Sequence, residues 1–162
     1  MKQIFEQYSL YNIWANQRMI AVITGLPEET VKRAVASSFS SLYLTLLHLW
    51  NTESIWWQRL KLIETVELPG DENNTIKEVA AGLMAQSKQW NEWIKKSTPA
   101  ALEHEFIYRN SKKEQFKQPV YQMLLHLFNH GTFNRGQLVT ILRQSEITTV
   151  PATDFIEWSR RK

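Results

Sequence analysis

Four stretches of about 20 residues in which apolar side chains recur every three or four positions constrain this chain more than any other feature. That period is the signature of a helix with one buried face. The first stretch runs from Gln3 to Ile23, with Ile4, Tyr8, Tyr11, Ala15, Met19 and Val22 in step. "GLPEET" ends it, Gly25 suiting a C-terminal cap and Pro27 blocking continuation. The second, Ser41 to Ile63, is apolar around much of its circumference, as a well-buried helix is. "ELPGDENN" reads as a loop, and Thr75 with Glu78 has the spacing of a capping box for a third helix that stops before Pro99. Between Leu102 and Pro119 the period changes: Phe106 and Tyr108, the polar "NSKKE" and then Phe116 fit two short strands around a turn. Pro119 suits the first position of a fourth helix running to Gln144, and the tail residues Phe155, Ile156 and Trp158 are expected to pack back on the helices. The prediction is an all-α fold, a four-helix bundle with a short β-hairpin before the last helix, in a single domain spanning 1–162. Two connections are short; the hairpin-bearing one is long and permits a crossover.

Composition excludes several functions. With 162 residues the chain can bury a sizeable core, and its Gly and Pro, 5 of each, form no linker-like tract. A net charge of +3, with basic residues scattered apart from "RRK" and the Lys112–Lys113 pair, makes no phosphate track. "WWQRLK" is too short for a base-stacking platform, so nucleic acid is rejected as a partner. The absence of cysteine removes disulfides, a catalytic thiolate and a zinc–thiolate cluster. "MKQIFEQYSLYNIW" lacks an apolar signal core, and no apolar run approaches the roughly 18 residues of a membrane span. The expectation is a soluble, cytoplasmic domain without a membrane partner.

The chemistry concentrates in "HLFNHGTFNRGQL", His126 to Leu138. Positions 126, 130 and 134 fall on one side of a helix, and His at i and i+4 can direct two imidazoles at one metal ion. A catalytic zinc commonly takes three protein ligands and leaves a position open to water, so another helix must contribute. His48, mid-helix in the apolar "LTLLHLWNTE", needs a partner for its ring nitrogens and is the candidate; a histidine hydrogen-bonded within the core is the structural alternative. His104 lies in the strand region and is assigned no role.

"YNIWANQRMI", "LTLLHLWNTESIWW", "LLHLFNHGTFNRGQL" and the closing "PATDFIEW" occur in the order and approximate spacing of the DinB/YfiT-like superfamily, which the chain resembles over essentially its whole length. The resemblance implies an up-down-down-up four-helix bundle, often homodimeric, that binds zinc or nickel through three histidines. Characterised relatives are thiol-dependent transferases or isomerases using bacillithiol, mycothiol or glutathione, and one branch is similar to metal-dependent hydrolases. Carried over residue by residue, the ligands are His48, His130 and Asn134. Asn134 stands where the family pattern has histidine, and a neutral amide oxygen is a weaker ligand for zinc or nickel. Three arrangements follow: Asn134 coordinates weakly or through water, His126 swings in as the third nitrogen, or the metal is lost. The first is preferred; the family often carries a histidine at position 126 without using it.

Arg135 and Gln137 match the family's "RGQ". Arg135 reads as an anion handle or as a packing or salt-bridge residue on the helix surface, and Gly136 as a point of close approach. Asp154 reads as a carboxylate orienting a histidine or as a cap. Glu53, about 500° round the helix from His48, lies off its face. The functional expectation is a divalent-metal-dependent enzyme acting on a small molecule, a thiol transferase or hydrolase, with any thiol supplied by a low-molecular-weight cofactor. The alternatives are a non-catalytic dimeric binding module with a metal-free site, and a polar small-molecule pocket left by the lost metal.

Overall fold

The structure is a computed structural model and describes residues 1–161. In chain order these form α1 (Lys2–Ile23), α2 (Glu28–Lys32), α3 (Leu42–Leu60), α4 (Ile76–Lys96), α5 (Pro99–Glu103), β1 (Glu105–Arg109), β2 (Gln115–Pro119), α6 (Val120–Gln144) and α7 (Phe155–Ser159). The four long helices and the hairpin stand where the periodicity puts them. The five-residue helices α2 and α5 carry too little pattern to read from sequence.

Contacts between side chains fix the direction of each helix. Lys2 reaches the Lys95 carbonyl and Asn91 the Ser9 hydroxyl, so α1 and α4 are antiparallel. Trp50 lies on Gly82 and Trp57 meets Trp90, so α3 and α4 are parallel. Tyr8 stacks on Phe128 and Arg135 reaches Asn12, so α1 and α6 are parallel. His48 meets His130 while Trp56 meets His126, so α3 and α6 are antiparallel. The long helices therefore run up, down, down, up.

Parallel α3 and α4 require a crossover, and it falls in residues 61–75 rather than in the hairpin-bearing connection. Polar side chains along α3 take up the backbone groups of this segment as it climbs back. Gln58 exchanges two hydrogen bonds with Glu67, Asn51 two with Gly70, and the Tyr43 hydroxyl donates to the carbonyls of Asp71 and Asn74. A Cβ on Gly70 or Gly82 would stand 2.3 Å from atoms of the Trp50 ring, so the two glycines clamp that ring.

Helix starts follow their caps. The Ser41 hydroxyl accepts from the Leu44 amide at 3.0 Å, and Thr75 with Glu78 forms the expected capping box. Pro119 is paired with Glu105 at the end of β2 and is the N-cap of α6, one residue before the position expected for it. The first and fourth long helices stop at Ile23 and Gln144 as expected, but the devices that end the helices differ from the expected one. Gly25 is not a left-handed cap, since no glycine among the described residues has positive φ. Instead α3 and α6 end in Schellman motifs built on Leu62 (φ 56) and Glu146 (φ 62). The Ile63 amide donates to Gln58 and that of Leu62 to Arg59; Ile147 donates to Leu142 and Glu146 to Arg143. This is why the second helix stops at Leu60 instead of reaching Ile63. A side chain in the left-handed region is strained, and Glu146 is exposed, so Glu146→Gly should stabilise the fold by about 1 kcal/mol, raising Tm by roughly 2–4 °C in thermal unfolding.

The interior has three levels. One apolar cluster contains Met19, Ile23, Leu42, Leu46, Leu83 and Leu138. Another contains Phe5, Trp90, Ile94, Leu102, Met123 and Leu127. Between them lies a buried polar layer of Asn12, Asn16, Glu53, Ser87, Asn134 and Arg135. In the tail, Phe155 stacks on Tyr8 and meets Tyr11 edge-on, and Trp158 packs on Tyr11; Ile156 is exposed, contrary to expectation. No helix among the described residues is long and apolar enough to cross a membrane.

Candidate functional site

The antiparallel crossing of α3 and α6 brings His48 and His130 together, with their Nε2 atoms 2.9 Å apart. Both rings are half-buried. Phe39, from the segment before α3, stacks on the His48 ring at 4.0 Å between centroids, and the neighbouring Ser38 hydroxyl accepts from Gln137 on α6 at 3.3 Å. Gln137 thus ties the segment that covers His48 to the helix that carries His130. The Thr52 hydroxyl, one turn beyond His48, stands 3.4 Å from Nε2 and 3.5 Å from Nδ1 of that ring.

Burial lowers the pKa of His48, and burial together with the nearby His48 and His126 takes His130 down to about 4. Both imidazoles are therefore neutral at pH 7, and each can present a lone pair. In the direct contact only one of the two Nε2 atoms can carry a hydrogen. Asn134, 1 % exposed, donates from Nδ2 to the His130 carbonyl at 2.9 Å, and the same nitrogen is 3.1 Å from His130 Nε2. Its Oδ1 is buried and has no partner. His126 lies to one side, exposed, 5.9 Å from the His130 ring and edge-on to Trp56. His104 is exposed in the turn between α5 and β1. Among the described residues no set of three histidines, cysteines or carboxylates is placed to hold a metal.

The donor set around the pair bears on the metal that the family resemblance implies. Two convergent neutral imidazoles suit two nitrogen positions of a transition-metal site, and the Asn134 amide one turn from His130 has an unpartnered oxygen that would serve as a weak third donor if the amide turned its oxygen to the pair.

Beneath the pair lies a network that links all four long helices. Glu53 Oε1 accepts from Asn12 at 2.9 Å and Asn16 at 3.4 Å, and Oε2 accepts from the Ser87 hydroxyl at 2.8 Å. Arg135 Nη1 donates to the Oδ1 atoms of Asn12 and Asn16 at 2.7 and 2.9 Å, while Nη2 reaches Thr132 at 3.1 Å. Burial raises the Glu53 pKa to about 7 despite hydrogen bonds from Asn12, Ser87 and Asn16 and the charge of Arg135. Arg135 is thus a buried strut, 2 % exposed, and not the surface residue or anion handle of the sequence reading. Gly131 supplies the close approach assigned to Gly136. A Cβ on Gly131 would stand 3.0 Å from both Arg135 Nη1 and Asn12 Oδ1, whereas one on Gly136 would meet nothing within 4 Å. Asp154 is exposed at the N-terminus of α7 and touches neither histidine of the pair.

A model of the DinB family matches residues 1–161 of the chain. Protein DinB of Bacillus subtilis is 26% identical over 154 residues, which cover 90% of this chain and 87% of that protein. The crystal structure of a DinB-like protein from Bacillus cereus has the same fold, with a TM-score of 0.71 at 19% identity, over 91% of this chain and 95% of that one.

Proposed function

Since the chain belongs to the DinB family, we propose that it is a divalent-metal-dependent enzyme acting on a small molecule, of the thiol-transferase or hydrolase type. His48 and His130 are the fixed nitrogen ligands, and Asn134 fills the third position. The observation that carries this reading is the 2.9 Å between the two Nε2 atoms. Two nitrogens each about 2.0–2.1 Å from one tetrahedral ion stand about 3.3 Å apart, so a small ring movement suffices. Bound there, zinc or nickel supplies Lewis acidity that favours the deprotonated form of a coordinated water or thiol. The protein's own part is to keep both imidazoles neutral, hold the His48 ring under Phe39, and limit the third donor to a weak amide. Having no cysteine, the chain takes any reacting thiol from a low-molecular-weight partner.

Metal analysis of the untagged protein beside His130→Ala tests this. Near-stoichiometric zinc or nickel in the parent and its loss in the variant are expected. Asn134→His should tighten metal binding at least tenfold, about 1.4 kcal/mol, because imidazole replaces an amide at the same helical turn. A second reading has one observation in its favour: the Asn134 amide nitrogen, not its oxygen, stands 3.1 Å from His130 Nε2. In that reading the three side chains bind a small molecule by hydrogen bonds alone. It is supported if the parent holds no metal even after incubation with excess while Asn134→His does.

A further inference from the structure

A second cluster of chemistry lies toward the C-terminal end of α3, on the other side of Trp56 and His126 from the histidine pair. Arg59 sits with its guanidinium carbon 4.7 Å from the Trp56 ring centroid and 5.5 Å from that of Tyr108. The Trp56 and Tyr108 rings, whose own centroids are 5.0 Å apart, pack edge to face against one side of the guanidinium and leave N–H groups for an acceptor. None is supplied: Nε is buried without a partner, and among the described residues Arg59 makes no ion pair. Arg59 lines a cavity of about 290 Å³ together with Arg109 of β1, which is also without an ion pair. The walls mix the apolar Leu62, Ile63, Val66 and Ile107 with Tyr108 and the two arginines, and Glu64 is the one carboxylate among the lining residues.

We propose that this cavity is a binding site for a small carboxylate with an apolar body, held on the N–H edge of Arg59 with Arg109 as a second cation. A guanidinium fork matches a carboxylate in geometry as well as charge. The four aliphatic side chains suit a ligand whose remainder is hydrocarbon, and the volume admits one about the size of benzoate. The site is independent of the metal proposal, since it uses neither His48 nor His130.

Titration of the full chain with sodium benzoate, followed by amide NMR, tests it. Saturable shifts at Leu62, Ile107 and Tyr108 are expected, with benzyl alcohol and inorganic phosphate each binding at least tenfold more weakly. Arg59→Gln should weaken benzoate at least tenfold, and Arg109→Gln, on the exposed strand, several-fold. No saturable response, an equal response to benzyl alcohol, or unchanged affinity in a folded Arg59→Gln protein would overturn the site. Phosphate binding as tight as benzoate would overturn the apolar class of ligand. If Arg59→Gln loses the native spectrum, Arg109→Gln decides, and unchanged affinity there counts against the proposal.

Discussion

Arg135→Met is expected to cost the fold about 3–5 kcal/mol, measured as a lowered midpoint of urea unfolding at pH 7. The loss does not come from packing, because methionine fills a similar volume. It comes from what is stranded: Asn12 and Asn16 each lose the donor to Oδ1, and Glu53 loses the positive charge that favours its ionised form. Glu53 and Arg135 are coupled through the two asparagines, so Glu53→Gln should partly offset the damage, and the double variant should be more stable than the sum of the single changes. A loss below about 1 kcal/mol in Arg135→Met would mean that the network is worth no more than surface hydrogen bonds.

Glu53→Gln should also change how stability depends on pH. In the folded chain Glu53 has a pKa of about 7 against an ordinary 4.5, so between those values the folded state holds a proton that the unfolded state has released. Its contribution is full below pH 4.5 and is lost as pH rises through 7, at up to about 1.4 kcal/mol per unit. His130 acts in the opposite sense. Its folded pKa of about 4 lies below the ordinary 6.5, so the stability it favours above 6.5 is lost as pH falls toward 4. The two slopes oppose each other between about pH 4.5 and 6.5, with His48 and His126, also lowered by burial, adding to the His130 sense. Glutamine removes the Glu53 slope. In Glu53→Gln, stability followed by urea unfolding should rise with pH across that window, and the total change relative to the parent should be about 3 kcal/mol between pH 4.5 and 8. Parallel profiles for the two proteins would place the Glu53 pKa near that of an ordinary carboxylate.

The long helices were legible because periodicity reports burial directly, and the Thr75–Glu78 box because a cap is a local pattern. The end of α3 was not, since Leu62 occupies a turn where glycine is the usual signal; α6 stops at Gln144 as expected, although its left-handed residue is Glu146. The crossover was hidden for another reason: the partners of residues 61–75 are Tyr43, Asn51 and Gln58, side chains that read simply as polar positions on a helix. At the site, the HxxxH spacing pointed to α6, and the lone mid-helix histidine pointed to α3. Spacing could not say that His130, and not His126, faces His48, because both lie on one side of the helix. Glu53 was set aside for being off the His48 face, yet that direction points into the polar layer. The available signal was on α1, where Asn12 and Asn16 interrupt a stripe otherwise made of Tyr8, Tyr11, Ala15 and Met19. Two asparagines a turn apart at core positions imply buried partners for both amides.

The most direct test of the site is long-range ¹H–¹⁵N NMR of the histidine rings during titration with zinc. Coordination through His48 and His130 should move the Nε2 signals of those two rings together, reaching saturation near one equivalent, while His104 and His126 stay unchanged. Zinc that moves His126 or His104 instead, or leaves the His48 and His130 rings untouched, would contradict a metal centre built on this pair.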